Sequence, residues 1–185
     1  MKRASDARSV LREATAADHE RVDRAFGHFD LTDREGYTAF LLAQAHGFLP
    51  IEAAIDAADP RELLPDWAER RRADRLLADL AALGVPSPAT ASWPDFRSKA
   101  DILGAIYVLE GSRLGGSMLA RSVPAGLPRS FIGAADTARW RKLIELLDKL
   151  LTTSDQHALA IDAARRAFAL FEDGALRHGR TKAFD

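Results

Sequence analysis

The stretch that decides the fold is Asp101-Ile-Leu-Gly-Ala-Ile-Tyr-Val-Leu-Glu-Gly-Ser-Arg-Leu-Gly-Gly-Ser-Met-Leu-Ala-Arg121. Its apolar residues recur at helical spacing, which predicts a helix, although four glycines lie inside it. A glycine inside a helix is less favourable than alanine by about 0.8–1 kcal/mol. Steps of seven and four residues place Gly104, Gly111 and Gly115 along one stripe. A stripe without side chains admits either another helix or a flat ligand close to the backbone, and the spacing leaves both open.

Composition restricts the class of protein. A length of 185 residues predicts one domain over 1–185, with 178–185 as a flexible tail. The net charge of −1 argues against a nucleic-acid partner, and the absence of cysteine excludes disulfides and thiolate metal sites. The first residues carry no apolar signal segment, and no apolar run reaches the length of a membrane span. We therefore expect a cytoplasmic protein that does not contact a membrane.

The rest of the chain also reads as helical, because clean period-2 alternation is hard to find. The pattern predicts a first helix over about 5–26 and a second that Pro50 kinks or divides. A third is expected over 67–83, the glycine-rich helix begins near residue 96, and two more cover about 134–151 and 154–174. The basic run Glu69–Arg75 is interpreted as a solvated helix face, with docking of an acidic electron donor as the alternative.

His19 has the most suggestive neighbours of the five histidines. On a helix, Arg12, His19 and Asp23 fall within about 40° of one another. A neutral imidazole oriented by a carboxylate is a typical metal ligand, and an arginine could meet an anionic group of whatever it binds. The plainer interpretation is a polar network at the edge of a helix. No histidine has Glu three residues away, so the Glu-x-x-His pattern of di-iron bundles is missing.

Three blocks in this order resemble the haem oxygenases, of the bacterial biliverdin-producing type. They are Leu11–Asp23, Tyr37–Glu52 and Ala105–Gly116, and the resemblance covers nearly the whole chain. It implies an all-α multi-helix bundle with haem between the first helix and a kinked glycine-rich distal helix. The distal block is the most specific of the three.

The resemblance also implies roles for individual residues. His19 would be the axial iron ligand, with Asp23 orienting it. Arg12 and Arg141 would pair with haem propionates, and Tyr107 would either hydrogen-bond a propionate or pack in the core. The distal wall, with its catalytic positions, would be formed by Gly111, Ser112, Gly115 and Gly116. The aromatic lining of the pocket would come from Phe168 and Phe171.

The implied reaction uses b-type haem as both cofactor and substrate, consumes O2, and yields biliverdin, carbon monoxide and iron. The chain lacks a glycine-rich dinucleotide fingerprint, so we expect no flavin or nicotinamide site and an external ferredoxin or reductase as electron donor. No helix shows an extra apolar face, so a monomer is expected. Ser112 stands where some family members carry aspartate, and Arg113 is unfamiliar. A haem sensor without turnover, a helical interaction protein that binds no haem, and a di-iron oxidase therefore stay as alternatives.

Overall fold

The computed structural model describes residues 6–133 and 136–179. Every regular element in these ranges is helical, which confirms the all-α prediction. The elements are α1 (Ala7–Ala14), α2 (Ala16–Phe26), α3 (Arg34–Ala57), a 3₁₀ turn (Pro60–Glu62), α4 (Trp67–Arg70), α5 (Ala73–Ala82), α6 (Lys99–Leu119), α7 (Thr137–Leu150) and α8 (Ser154–His178).

The last helix, α8, is the centre of the bundle. It packs against α3 on one side and α6 on another, while α1 and α2 lie across it. Glycines permit these close approaches: a Cβ on Gly104 would overlap the Ala160 carbonyl, and one on Gly174 would meet the Ala43 carbonyl. The buried apolar residues of α3, α6 and α8 form a continuous core. This core fixes the position of α6, whose sequence carries the glycines.

Side chains that accept backbone N–H groups fix the helix starts. Asp33 accepts from the Gly36 N–H at the start of α3, and Ser98 accepts from the Asp101 N–H at the start of α6. Thr153 and Gln156 form a reciprocal capping box at the start of α8. These caps supply acceptors to N–H groups that have none within their own helix.

One predicted helix boundary was wrong, and at Pro50 the structure excludes a divided helix while the predicted kink stays a prediction. The predicted first helix is divided at Thr15, a buried residue whose hydroxyl donates to the Leu11 carbonyl at 2.8 Å. Pro50 does not divide α3, although it removes one hydrogen-bond donor. Pro50 and the residues beside it, Phe48 to Ile51, are buried, and this packing keeps the helix continuous.

The predicted helix over 67–83 is also divided, between α4 and α5. The break falls at Arg71 and Arg72, where the backbone leaves helical geometry. Arg70 and Arg72 turn into the protein and are 1% and 3% exposed, so the solvated face predicted for Glu69–Arg75 was wrong at these two positions. At the other end of the chain, α8 extends to His178, beyond the predicted end at residue 174. Residues 180–185 of the predicted tail and residues 134 and 135 lie outside the described ranges.

Within the described residues, α3 is the one helix long and apolar enough to cross a membrane by length and composition. Most of that helix is buried inside the bundle, against α8 and α5. Burial of this kind is typical of the core helix of a globular domain.

Candidate functional site

His19 lies on α2, a helix with no fully buried residue that lies across α8. Its Nδ1 is 3.0 Å from Oδ2 of Asp23, one turn later, and its side chain is 61% exposed. The ring meets Phe168 of α8 edge-on, with centroids 5.8 Å apart. With Nδ1 turned toward this carboxylate, Nε2 is the ring nitrogen left to bind a metal, and no hydrogen bond from a described residue to Nε2 is seen. This geometry suits an axial ligand to a metal.

Two arginines of α1, Arg8 and Arg12, act electrostatically on Tyr107 of α6. Burial raises the pKa of the Tyr107 phenol, and the positive charges of Arg8 and Arg12 partly offset that rise. Both arginines thus act electrostatically on the phenol, and the Tyr107 ring lies 5.7 Å from the Trp140 ring between centroids. Among the described residues, neither arginine has a carboxylate within 4 Å. These residues can therefore receive an anionic group.

Sequence reasoning found Arg12 and Tyr107 but missed Arg8. The available signal was spacing, because Arg8 is one helical turn before Arg12 on α1. Arg141 follows Trp140 on α7 and is exposed. Its predicted contact with a propionate stays a prediction.

One edge of α6 is uncovered. A Cβ on Gly111 would come no closer than 3.9 Å to Trp140, and one on Gly115 would meet nothing within 4 Å. Met118, on the same edge, is 71% exposed. The described part of the chain thus leaves the α6 backbone accessible from Gly111 to Met118. We call this edge the open glycine face.

Two other residues of the predicted distal wall turn inward. Gly116 is buried, and a Cβ there would be in ordinary contact with Ile132 at 3.7 Å. The Ser112 hydroxyl donates to the Leu109 carbonyl at 2.7 Å and accepts from Nη2 of Arg72 at 2.9 Å. The hydroxyl is therefore committed to partners inside the protein, and its predicted part in oxygen chemistry stays a prediction.

Arg113 points into the protein and belongs to a buried ionic network. Its Nη2 donates to the Arg70 carbonyl at 2.6 Å and to Oε1 of Glu110 at 3.1 Å. Arg70 donates to the other oxygen of Glu110 at 3.0 Å and also pairs with Asp66. A glutamate inside an otherwise apolar helix was the sequence signal for this network, because a buried carboxylate requires a cation.

The two predicted pocket aromatics differ in their surroundings. Phe168 is 7% exposed and touches the His19 ring. Phe171 is 3% exposed and lies against Gly47 of α3, where a Cβ would be 2.7 Å from its ring. Phe168 therefore contacts the candidate ligand, whereas the contact seen for Phe171 is with the core.

Surface cavities do not mark this site. One of about 340 Å³ is lined by Arg21, Arg24, His28 and Leu176, among others, and one of about 550 Å³ includes His46, Asp173 and Arg177. Neither cavity is lined by His19 or by a glycine of α6. In residues 6–133 and 136–179, no group of three or more His, Asp or Glu side chains could hold a metal ion. The di-iron alternative therefore has no ligand set in these ranges.

Comparison with known proteins identifies the family. No protein-family model matches the chain. Over 112 residues the chain is 36% identical to a haem oxygenase of Xanthomonas campestris. That match covers 57% of this chain and 67% of the relative. The chain is 30% identical over 151 residues to the haem oxygenase PigA of Pseudomonas aeruginosa, covering 76% of each chain.

Solved structures agree on the fold. The haem oxygenase of Neisseria meningitidis, solved with NO and CO bound, matches with a TM-score of 0.76 and 24% identity, covering 97% of this chain and 96% of that one. The haem oxygenase of Leptospira interrogans matches with a TM-score of 0.68 and 19% identity, covering 93% and 99%. These structures show the fold, and the two curated relatives show the family. The chain belongs to the haem oxygenase family.

Proposed function

We propose that this haem-degrading enzyme cleaves haem to biliverdin, carbon monoxide and iron, with O2 as co-substrate and electrons from a separate ferredoxin or reductase. The observation that carries the proposal is the contact between His19 and Asp23, 3.0 Å apart on an exposed face of α2. When bound, haem supplies the iron that activates O2 and the ring that is opened. The chain's own residues bind and orient it.

His19 is the proposed axial ligand, through Nε2. The ion-pair contact of Nδ1 with the Asp23 carboxylate favours the tautomer with its proton on Nδ1 and orients the ring. The edge-on contact with Phe168 restricts the imidazole from the other side. A neutral imidazole suits this chemistry, because a thiolate ligand would favour cleavage of the O–O bond before the ring is attacked.

Arg12, Arg8 and Tyr107 are the proposed propionate site, with Arg141 as a further member. Both α1 arginines act electrostatically on the Tyr107 phenol and on Asp6, and among the described residues neither forms an ion pair within 4 Å. Charge-assisted hydrogen bonds from guanidinium groups to two propionates would hold the ring in one rotation. Fixing that rotation selects the carbon at which the ring opens.

The open glycine face is the proposed distal wall. Gly111 and Gly115 let the α6 backbone approach the haem plane, while Gly116 and the inward Ser112 shape the wall from behind. The face presents no acidic or basic side chain from Gly111, Ser112 or Gly115. A site without a strong proton donor favours attack on the ring over early O–O cleavage. Phe168 and Phe171 support the opposite wall from α8.

We also propose that the enzyme acts in the cytoplasm as a monomer. The exposed large hydrophobic residues in the described part of the chain are Met118, Leu119 and Leu176. Met118 lies on the open glycine face and Leu119 next to it, where haem would cover them. Light scattering coupled to size exclusion tests this, and a stable dimer before hemin is added would contradict it.

A hemin titration of purified protein tests the proposal. We compare wild type, His19→Ala and His28→Ala, the last being a control because His28 is exposed just beyond the end of α2. We expect a 1:1 Soret complex in wild type and His28→Ala that is lost or altered in His19→Ala. Ascorbate under air should then bleach the Soret band and produce biliverdin absorption. Binding without bleaching would support the sensor alternative, and no binding would refute both.

A further inference from the structure

Arg72 is buried in unusual surroundings for an arginine. Its side chain is 3% exposed, and its guanidinium lies against the rings of Phe48 and Phe131, which contact each other edge-on, 4.7 and 4.9 Å from their centroids. Among the described residues, no carboxylate lies within 4 Å of it. Burial lowers the pKa of the guanidinium to about 9, and the positive charge of Arg113 contributes to that fall. The fold thus retains a costly cation without a direct counter-ion.

The hydrogen-bond partners of the Arg72 side chain lie on one turn of α6, while its backbone N–H donates to Glu52 of α3 at 2.8 Å. Its Nη2 donates to the Leu109 carbonyl at 2.6 Å and to the Ser112 hydroxyl at 2.9 Å. Ser112 in turn donates to the same Leu109 carbonyl at 2.7 Å. One nitrogen therefore ties together two points of the turn that leads into the open glycine face.

We propose that Arg72 is a positioning residue that holds the Leu109–Ser112 turn, so that the open glycine face meets haem as a rigid surface. The inference rests on the proposed function of that face. The same contact keeps the Ser112 hydroxyl off the face, because its donor and one of its acceptor positions are used inside the protein. Arg72 acts through α6 and does not itself touch the substrate.

A role in global stability would give a different result from a role in positioning. The Arg72 guanidinium has no carboxylate within 4 Å, and the bond from its backbone N–H to Glu52 does not depend on the side chain, so replacing it with methionine leaves no uncompensated opposite charge in direct contact. A flexible thioether also packs well against the two aromatic rings that the guanidinium contacts. We therefore expect Arg72→Met to fold as stably as wild type while the α6 turn loosens.

Hydrogen exchange on the haem-free protein tests this without any reference to catalysis. The matched control is Arg71→Met, which removes the same charge from the next residue. Arg71 is half-exposed and pairs with Asp56 at 3.0 Å and more distantly with Glu52 at 3.9 Å, both on α3, and no ion pair joins it to a described residue of α6. In Arg72→Met we expect amides 109–119 to exchange about tenfold faster, with amides 99–108 and the melting temperature unchanged. Arg71→Met should exchange as wild type does.

A second variant and a second measurement complete the test. Arg72→Lys keeps the charge but offers a point donor in place of a planar fork, so we expect exchange between wild type and Arg72→Met. Hemin should leave Arg72→Met several times faster than it leaves Arg71→Met. Equal exchange at 109–119 in Arg72→Met and Arg71→Met overturns the proposal. Exchange in Arg72→Lys that matches Arg72→Met in every segment overturns it as well. If wild type bound no hemin, the proposed function would fail while the exchange result stood.

Discussion

The two halves of α6 use the same residue type in opposite ways. In the first half, Gly104 lies so close to α8 that a Cβ would overlap the Ala160 carbonyl. In the second half, Gly115 has no atom within 4 Å of where its Cβ would be. The space beside the first glycine is filled by α8, and the space beside the second is left open. Spacing along a helix therefore identifies a smooth stripe, while the neighbouring elements decide what occupies it.

The energetics of the two glycines differ accordingly. Each costs about 0.8–1 kcal/mol relative to alanine in a helix interior. At Gly104 the close packing of α6 on α8 offsets that cost, because buried apolar side chains of the two helices come into contact. At Gly115 nothing in the described chain offsets it. A residue that lowers stability without a packing gain is expected at a binding surface.

The largest effect is expected at Glu110, where the two halves meet. Glu110→Gln would remove the negative charge with which both Arg70 and Arg113 pair. Removing one partner of a buried ion pair typically costs about 3–5 kcal/mol of unfolding free energy, and Asp66 keeps this loss near the lower end. Urea denaturation measures it, with Glu145→Gln on the exposed side of α7 as the control. A loss no larger than the control's would contradict the network.

The next largest effect tests the packed half. In Gly104→Ala the new methyl group would collide with the α8 backbone, which cannot move as a flexible side chain can. Overpacking of this kind costs about 1–3 kcal/mol. We expect a value at the upper end from chemical denaturation, despite the better helix propensity of alanine. A stabilised Gly104→Ala protein would show that the two helices are not in close contact there.

Gly115→Ala should behave in the opposite way. The methyl group meets open space, so helix propensity alone should raise the unfolding free energy by about 0.8–1 kcal/mol. Hemin affinity should fall about tenfold, or about 1.4 kcal/mol, because the methyl group holds the haem plane away from the backbone. The two quantities are measured on the same preparation. A variant that is more stable and binds hemin as wild type does would place haem elsewhere.

The contact between His19 and Asp23 could be predicted from sequence, since the two residues lie one turn apart on one helix. The predicted row from Arg12 to Asp23 on a single helix could not hold, because the chain breaks at Thr15 and leaves Arg12 on α1 and His19 on α2. The inward turn of Ser112 could not be predicted, because it depends on Arg72, forty residues earlier in the chain. The basic run around Arg72 was interpreted as solvated because charge runs usually are. Only the assembled fold supplies the carbonyl and carboxylate acceptors that draw Arg70 and Arg72 inside. Arg8 was missed for a related reason, since its nearness to Tyr107 arises from the packing of separate helices.

The smallest effect is an acid-dependent one, confined to the packed half. Burial would raise the pKa of Asp101, but hydrogen bonds and charge from Arg97 outweigh it, so the pKa lies below the ordinary value of 3.8. A carboxylate with a lowered pKa in the folded state stabilises the fold above the unfolded value. That stabilisation is lost as pH falls through the folded pKa, so the window lies below about pH 4.

Asp101→Asn should therefore flatten the acid limb of the stability profile, as followed by urea denaturation from pH 6 downward at about one-unit steps. Arg97→Met should flatten it in the same way, because Arg97 provides the hydrogen bonds that lower the pKa. Hemin affinity at neutral pH should be unchanged in both variants, since the pair anchors the first half of α6 and the open glycine face belongs to the second. A parallel loss of hemin affinity would mean that the two halves of α6 are energetically coupled, so that the packing of the first half also determines how the open glycine face binds haem.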